Sequence, residues 1–509
     1  MNNTNLDAAW QYHEETSHSP ERMVGAGRLD WDNRPLLFKI YSTLEPVPLP
    51  KEFTNSPGSA LDAIASQAAL AGEYVPSLPL LGRLCFFANG ITKTIRRAGK
   101  RVPFRAAATT GALYHIELYL VCGQLPDLAA GVYHYGAHDH SLHRLRDGDF
   151  RQALVEAAGE PSFAAAPVFV ICTSTFWRNA WKYGARAYRH SFWDNGTILA
   201  NLLAVSAAQE VPAKVILGFA DEQVNRLIDV DPQREAAVSL VALGDTAQLP
   251  PPAAPVVPID APAEPRSRSA IVYPAIQAMH QASSLRSGDE AAAWRSQPFS
   301  SPAPAIEGPQ IPIQPVNLSE SPADPIEPVI RRRGSSRRFS RAPIRYTELS
   351  KMIDLAARPI SADYPKEPNV PLSTLYLIAN AVEGLQSGAY VFHPLTKTLE
   401  LLEVGDFREE AGSLALGQDL AADAAANIYF LADLYPILSR FGNRGYRAAQ
   451  LEAAILAGRL YLAAYALRLG ATGLTFFDDE VTSFFSPHSR GKSVLFLIAL
   501  GHPLRPGRK

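Results

Sequence analysis

The chain contains an internal duplication, and this feature constrains its fold more than any other. Four blocks recur in the same order at an offset of 257 or 258 residues. GVYHYGAHDHSLHRLRDGDF from Gly131 matches GAYVFHPLTKTLELLEVGDF from Gly388, and KYGARAYR from Lys182 matches RFGNRGYR from Arg440. The two shorter blocks are GFADE from Gly218, which matches FFDDE from Phe476, and VSLVALG from Val238, which matches LFLIALG from Leu495. Such a duplication commonly copies a homodimer into one chain. We therefore expect the two halves to dock against each other; two independent domains are the alternative.

A proline-rich stretch separates the halves. Residues 246–328 hold 17 of the 41 prolines. Because proline fixes φ and removes a backbone donor, this stretch is predicted to run extended over a surface, with one short helix around Ala275–Ser287. The predicted organisation is an N-terminal extension (1–83), a first domain (84–245), the Pro-rich linker (246–328) and a second domain (329–509).

Each half combines strands with one long helix. In the first half, apolar runs predict strands at residues 114–122, 131–135, 141–145, 167–173 and 238–243. A long buried helix is predicted over 191–209, and its counterpart over 448–470 is rich in alanine and glycine, which lets another helix approach closely. Because strands and helices interleave with hairpins, we predict an α+β fold. No GxGxxG or P-loop pattern follows a strand, which disfavours Rossmann dinucleotide binding and P-loop chemistry.

Charge and hydropathy exclude several classes of function. The net charge is −2 and the sequence pI is about 6.7, so no global basic field points to nucleic acid or an anionic membrane. No run of about 18 apolar residues is available to span a bilayer, and the polar, acidic N-terminus does not resemble a signal peptide. The three cysteines are odd in number and far apart, so we expect buried thiols in a cytoplasmic protein.

Two segments have the composition of a ligand-binding site. Arg331–Phe339 (RRRGSSRRF) follows the linker directly. An arginine guanidinium can donate two parallel hydrogen bonds to a phosphate, and a serine hydroxyl adds a further donor. The second segment, RAAATTGALYHIELYLV from Arg105, places small residues before a strand, so that the backbone can come close to a flat ligand. The alternatives are a solvated basic run for the first segment and an ordinary loop for the second.

Lys182 and Tyr183 are the candidate catalytic pair. A lysine can accept a proton when burial or a neighbouring cation lowers its pKa, and Arg186 and Arg189 are the predicted neighbours. The alternative is an exposed basic helix start.

Two other groups of polar residues are assigned no chemistry. His134, His138, His140 and His143 crowd one hairpin, but strand alternation does not place all four on one face, and we predict no metal. The acids that begin at Asp221 and at Asp478 are expected to cap or solvate turns.

Together these segments resemble the nitroreductase superfamily, and the first half is similar to the SagB-type dehydrogenases, which oxidise azolines in modified peptides. The resemblance covers roughly Leu84–Asp245 and Ile330–Pro503. It rests on RAAATTGALYHIELY, GVYHY, KYGARAYR and RGSSRRF, the last of which matches the superfamily pattern RxSxRxF. It implies two tandem FMN-dependent domains that form an intrachain pseudo-dimer.

In that superfamily FMN lies at the subunit interface, so the resemblance implies one composite site between the halves. The residues that carry over are Arg333, Ser335, Arg337 and Arg505 (or Arg508 nearby) for the phosphate and ribityl chain, Gly473 and Leu474 from the same half, and Ala108, Thr109, Thr110 and Gly111 from the first half. RGSSRRF has no clear copy in the first half, and the loop around Asn369–Thr374 is shortened in the second. One FMN per chain is therefore expected.

The resemblance gives Lys182 and Tyr183 a role in proton handling. Arg440 and Phe441 hold these positions in the second half, where a guanidinium is a poor base and a phenyl ring cannot donate. We predict an FMN-dependent oxidoreductase of a small molecule or peptide, acting as a dehydrogenase of azoline-type heterocycles. The alternatives are an NAD(P)H-dependent nitro or quinone reductase and a non-catalytic flavoprotein scaffold in a biosynthetic complex. We expect a cytoplasmic monomer or weak homodimer with no nucleic-acid or membrane partner.

Overall fold

A computed structural model describes residues 3–23, 29–66, 72–97, 99–265, 267–299, 306–314, 322–364 and 371–504. The N-terminal extension and first domain contain, in chain order, α1 (Asp7–Glu15), α2 (Pro20–Met23), β1 (Pro46–Pro48), α3 (Ala60–Ala65), α4 (Leu78–Asn89), β2 (Ile91–Arg97), β3 (Lys100–Arg105), β4 (Ile116–Cys122), β5 (Gly131–Gly136), β6 (Ser141–Asp147), α5 (Arg151–Ala158), β7 (Val168–Thr175), α6 (Phe176–Tyr183), α7 (Ala187–Ala208), β8 (Ala213–Ile216), α8 (Asp221–Leu227) and β9 (Glu235–Leu243).

The linker contributes α9 (Pro274–Ala282), α10 (Gly288–Arg295) and β10 (Gln310–Pro312). The second domain contains α11 (Ile326–Arg332), β11 (Ile344–Arg345), α12 (Tyr346–Ala356), β12 (Thr374–Ala379), β13 (Val382–Glu383), β14 (Gly388–His393), β15 (Thr398–Val404), α13 (Arg408–Leu414), α14 (Asp419–Asp423), β16 (Ala426–Ala432), α15 (Leu434–Phe441), α16 (Asn443–Ala466), β17 (Gly470–Leu474), α17 (Asp478–Phe484) and β18 (Ser493–Gly501).

Each domain is built on a seven-stranded antiparallel sheet, and the two sheets share one strand order. The first sheet runs β1-β6-β5-β4-β7-β9-β8 and the second β10-β15-β14-β12-β16-β18-β17. The strands β4, β7 and β9 are buried along their whole length, which accounts for their continuous apolar runs. The α+β class and the predicted strands are confirmed. The symmetry extends outside the sequence repeats, because β10 of the linker pairs with β15 as β1 of the extension pairs with β6.

The long helices α7 and α16 pack against each other at the interface between the domains. A Cβ atom on Gly196 would overlap Ala454, and a Cβ atom on Gly458 would overlap Ala200. These small residues let the two helix backbones approach closely, as the composition of the second helix predicts. The two halves are therefore docked, not independent.

Two buried arginine–aspartate clusters cross the same interface. Nη1 of Arg186 and Nη1 of Arg189 lie 2.9 and 2.6 Å from carboxylate oxygens of Asp478. The mirrored cluster, with both Nη1–carboxylate distances at 2.6 Å, is formed by Arg444, Arg447 and Asp221.

These clusters correct two predictions. Asp221 and Asp478 begin helices α8 and α17, but their carboxylates are buried between two guanidinium groups and do not solvate turns. Arg186 and Arg189 point across the interface to Asp478, so they are not the cations beside Lys182. The sequence showed the repeated Arg-x-x-Arg spacing but not its partner, which lies about 290 residues away in the other half.

The N-terminal extension and the linker pack against both domains. Tyr12 of α1 donates a hydrogen bond to the carbonyl of Ala185 at 2.7 Å, and the side-chain oxygen of Asn443 accepts from the amide of Ala9 at 3.1 Å. The helix predicted around Ala275–Ser287 is present as α9, and α10 follows it, so the linker is less extended than its proline content predicts.

The three cysteines, Cys85, Cys122 and Cys172, are free and buried, as predicted, and burial raises the pKa of each thiol. In the described part of the chain, every helix is either too short or too polar to cross a bilayer.

Candidate active site

The small-residue loop that follows β3 is held in place by α7. The amide of Thr110 donates to both carboxylate oxygens of Asp194, at 2.8 and 3.0 Å, and the Thr110 hydroxyl donates to the same carboxylate. The Thr197 hydroxyl donates to the carbonyl of Ala108 at 2.6 Å. Nε2 of the fully buried His115 lies 3.0 Å from Asp194. Polar side chains of α7 thus fix the backbone of the loop at Ala108 and Thr110.

Gly111 and Tyr183 fit together at the end of this loop. Gly111 has φ +62°, and a Cβ atom there would lie 2.7 Å from the hydroxyl of Tyr183, so glycine is required on both counts. Tyr183 ends α6 and packs edge-on against His190, with ring centroids 4.7 Å apart. Burial, and then the charge of Asp194, raise the pKa of Tyr183, so its hydroxyl remains a proton donor at neutral pH.

Arg333 of the second domain reaches directly into this loop of the first. Its Nε donates to the carbonyl of Ala106 at 2.8 Å, and its Nη2 donates to the carbonyl of Arg105 at 3.1 Å. The guanidinium also lies 5.8 Å from the ring centroid of Tyr461. The arginine-rich segment and the small-residue loop, which the sequence places more than 200 residues apart, therefore form two walls of one seam.

Tyr461 of α16 organises the second-domain wall. Its hydroxyl lies 3.3 Å from Oγ of Ser335 and accepts a hydrogen bond from the amide of Gly473. Leu474, the next residue in β17, is partly buried against Phe339 and its apolar neighbours. Ser335, Gly473 and Leu474 are thus brought to the same seam as Arg333.

Lys182 interacts electrostatically with Arg337 across this seam. Lys182 is exposed as a whole residue, yet partial desolvation by the surrounding protein and the positive charge of Arg337 lower its pKa. Its Nζ lies 5.0 Å from the ring centroid of Tyr183. The cation that acts on Lys182 is therefore Arg337 of the other domain, and not the predicted Arg186 or Arg189. Arg505 and Arg508 lie outside the described residues.

The seam has the features that a flavin mononucleotide would need. Arg333, which is held by two backbone carbonyls, and the exposed Arg337 supply positive charge for a phosphate. The loop from Ala106 to Gly111 carries small side chains that leave room for a flat ring. The hydroxyl of Thr109 is buried without a hydrogen-bond partner in the described structure, which leaves a polar atom available for a ligand. The residues fit FMN by charge, size and free hydrogen-bonding capacity.

The symmetry-related seam differs from this one at each important position. Glu452 replaces Asp194 and accepts hydrogen bonds from the amides of Leu372 and Ser373 at 2.7 and 3.1 Å. Leu203 stands where the other half has Tyr461, and Ser66 ends the counterpart of α11 where Arg333 would be. The remaining cavity, of about 20 Å³, has room for one or two water molecules.

The second copy of the catalytic pair is closed at Phe441 but not at Arg440, which is exposed. Phe441 is 1% exposed and packs against Trp294 and Phe299 of the linker, with ring centroids 5.5 and 5.4 Å away. Arg440 donates to the carbonyl of Pro298 at 2.8 Å. Neither side chain offers a proton-transfer group to a ligand.

Sequence reasoning missed Asp194, Thr197 and Tyr461, which position the loop and the second-domain wall. Asp194 and Thr197 interrupt an apolar helical pattern with polar residues one turn apart, and such an interruption indicates a buried hydrogen-bonding role. Tyr461 gave no comparable indication, because its helix contains three tyrosines and is buried along almost its whole length.

Comparisons with known proteins decide the family. The sequence matches the nitroreductase family over residues 86–245 and 330–502, which is more than half of the chain. The chain belongs to the nitroreductase family. Both domains have the nitroreductase fold, and the family identifies the protein as an oxidoreductase.

Several nitroreductase-family proteins resemble it. A crystal structure of a putative nitroreductase from Anabaena variabilis has a TM-score of 0.77 and 28% identity, covering 98% of this chain and 99% of that one. The putative nitroreductase MJ1384 of Methanocaldococcus jannaschii is 26% identical over 162 residues, which is 31% of this chain and 78% of that protein. The E. coli microcin synthetase McbBCD complex has a TM-score of 0.31 and 19% identity over 48% of this chain, which is too distant to bear on substrate.

Proposed function

We propose that the protein is an FMN-dependent dehydrogenase with one flavin per chain, bound at the seam between the two nitroreductase domains, and that it oxidises azoline-type heterocycles. The proposal rests chiefly on the convergence of Lys182, Tyr183 and Arg337 beside the loop that Arg333 contacts. Lys182, with its lowered pKa, can accept a proton, and the protonated Tyr183 beside it can donate a hydrogen bond.

The residues that would hold FMN come from both halves. Arg333, Ser335 and Arg337 would bind the phosphate and ribityl chain, with Arg505 as a further candidate. Ala108 to Gly111 would cover the ring from the first domain, and Gly473 and Leu474 would approach it from the second. Across the seam, Arg333 donates hydrogen bonds to two backbone carbonyls, which are neutral. It can therefore bind a charged phosphate in their place, because no negatively charged partner loses its cation.

Bound FMN would supply the hydride acceptor. Conversion of an azoline to an azole also removes a proton from the ring, and Lys182 would take this proton on Nζ in its neutral form. Arg337 favours that form by repulsion. Tyr183 would donate a hydrogen bond from its hydroxyl to the negative charge that develops on the substrate, and Gly111 gives it the space to do so.

Flavin binding is tested with FMN-reconstituted full-length protein. We expect one FMN per chain by absorbance. Arg333→Ala combined with Arg337→Ala should weaken FMN binding by about 100-fold or more, because each of the two charge-assisted contacts contributes about 1.5–3 kcal/mol. Arg440→Ala, in the closed second copy, is the matched control and should bind FMN as the parent does. Two FMN per chain, or full FMN binding by the double variant, would contradict the assigned site.

The reaction is tested separately from binding. Lys182→Ala should keep its full FMN content and its flavin spectrum yet lose oxidation of an azoline-containing peptide under oxygen. Tyr183→Phe should retain FMN and turn over more slowly. If the parent protein reduces nitro compounds or quinones with NAD(P)H and leaves the azoline unchanged, the reductase assignment replaces the dehydrogenase.

A further inference from the structure

Three side chains of the metal-ligating type meet in the second domain, and none of them belongs to the seam. His393 ends β14, Glu400 lies on β15, and His488 follows α17. Nε2 of His393 lies 2.7 Å from Oε2 of Glu400, and Nε2 of His488 lies 3.8 Å from the same oxygen. The ligand atoms all fall within 4.8 Å of one another.

The charge of this cluster is not balanced by a lysine or arginine. Glu400 is 1% exposed, and among the described residues its ion-pair partners are the two histidines. Two other buried carboxylates do have a permanent cation, since Glu117 pairs with Arg178 and Glu327 with Arg83, whereas the buried Asp194 pairs with His115. A buried carboxylate normally requires such a partner or a metal ion.

The side chains are already oriented by their neighbours. Oε1 of Glu400 accepts hydrogen bonds from the amides of Glu307 and Gly308 at 2.8 and 2.6 Å, which leaves Oε2 directed at the histidines. Nδ1 of His488 lies 2.9 Å from the hydroxyl of Tyr376, so Nε2 faces the cluster. Outer hydrogen bonds of this kind fix ligand orientation in metal sites.

The spacing of the three groups suits a tetrahedral ion. Imidazole and carboxylate ligands bound to zinc at 2.0–2.2 Å lie about 3.3 Å from one another. The observed separations of 2.7 and 3.8 Å bracket this value, so an ion can enter with small shifts of the side chains. The His488 side chain is 12% exposed, which leaves a path for the ion and room for a water ligand.

We infer that His393, Glu400 and His488 form a binding site for a divalent zinc-type cation that joins the linker, the β14–β15 hairpin and the segment after α17. Two imidazoles and one carboxylate form a ligand set that zinc uses, with a fourth position for water. The site is independent of the proposed flavin chemistry.

The first-domain hairpin provides a contrast within the same chain. His143 and His138 lie 3.0 and 3.6 Å from Asp139, but Asp139 is 30% exposed, and Nδ1 of each histidine lacks a partner in the described structure. The ligand atoms of this group also lie within 4.8 Å of one another, and the sequence predicts no metal there. Sequence reasoning did not identify the second-domain cluster, because Glu400 and His488 are separated by almost 90 residues.

The test uses full-length protein as purified, with or without bound flavin, stripped with a chelator and dialysed. Titration with Co²⁺ should give one equivalent of bound ion per chain with visible ligand-field absorption outside the flavin bands, and calorimetry with Zn²⁺ should give the same stoichiometry. His488→Ala should weaken binding by at least 10-fold, and Tyr376→Phe, which keeps all three ligands, by about 10-fold.

His138→Ala is the matched control and should bind one Co²⁺ as the parent does. FMN content and thermal midpoint, measured on each variant without metal, show whether the fold is intact. If the parent binds no stoichiometric Co²⁺, or if binding survives His488→Ala and is lost in His138→Ala, the assignment is overturned.

Discussion

Nη1 of Arg189 in the first repeat lies 2.6 Å from Oδ1 of Asp478 in the second, and both side chains are buried at the domain interface. The equivalent contact joins Arg447 of the second repeat to Asp221 of the first. The interface is therefore held by paired charges that no single half can satisfy alone.

Asp478→Asn should destabilise the protein strongly. The substitution leaves Arg186 and Arg189 buried without a negative charge, and breaking a buried pair from one side costs about 3–5 kcal/mol. The free energy of unfolding from urea titration measures this loss. Asp479→Asn, at the exposed neighbouring position, is the control and should change stability by less than about 0.5 kcal/mol. Equal stability of the two variants would contradict the role of Asp478.

Acid should weaken the folded state through the same aspartates. The facing arginines hold the pKa of Asp221 and Asp478 below the ordinary value, despite the opposing effect of desolvation. Because the native pKa is depressed, the stabilisation is present above the unfolded pKa of about 4 and is lost as pH falls through the native pKa. Urea midpoints measured from pH 6 to pH 3 should fall, and the fall should be smaller in Asp478→Asn. An identical fall in the variant would exclude Asp478 as a source.

Glu452 should destabilise the protein as pH rises. Burial raises its pKa to about 7, so the folded state retains a proton that the unfolded state releases near pH 4. This contribution is complete below about pH 4 and is lost as pH rises through 7. Glu452→Gln keeps an oxygen for the amides of Leu372 and Ser373, so its melting temperature relative to the parent should increase between pH 5 and pH 8. Glu403→Gln, at an exposed position, should show no such trend.

Arg337→Gln should shift the pH dependence of turnover upward. Arg337 contributes to the lowered pKa of Lys182, so its removal raises that pKa, and the neutral amine then appears at higher pH. The measurement is the pH profile of kcat with FMN at saturating concentration, which compensates for any lost phosphate contact. Arg338→Gln, at the exposed neighbouring position, is the control. An unchanged profile in Arg337→Gln would remove Lys182 as the titrating base.

The repeated blocks predicted most of the architecture because each block has a strong local pattern. The apolar run of β7 and the small residues of α16, such as Gly458, indicate a buried strand and a close helix crossing without reference to any partner. The composite seam was also predictable, since the arginine-rich segment is recognisable in one half and the small-residue loop in the other.

Contacts that join distant segments were not predictable. Three features depend on how the two halves dock: the aspartate partner of Arg186 and Arg189, the cation that acts on Lys182, and the position of the Tyr461 hydroxyl. A pattern within one repeat carries no information about docking. The linker helix α10 was missed because proline content dominated the interpretation of its surroundings.

The course of the linker past the two copies has an evolutionary consequence. Trp294 and Phe299 seal Phe441, whereas its counterpart Tyr183 remains partly exposed. A homodimer must treat its two equivalent clefts alike, because every mutation appears in both. A fused chain has only one connecting segment, so it can close one cleft permanently and specialise the other.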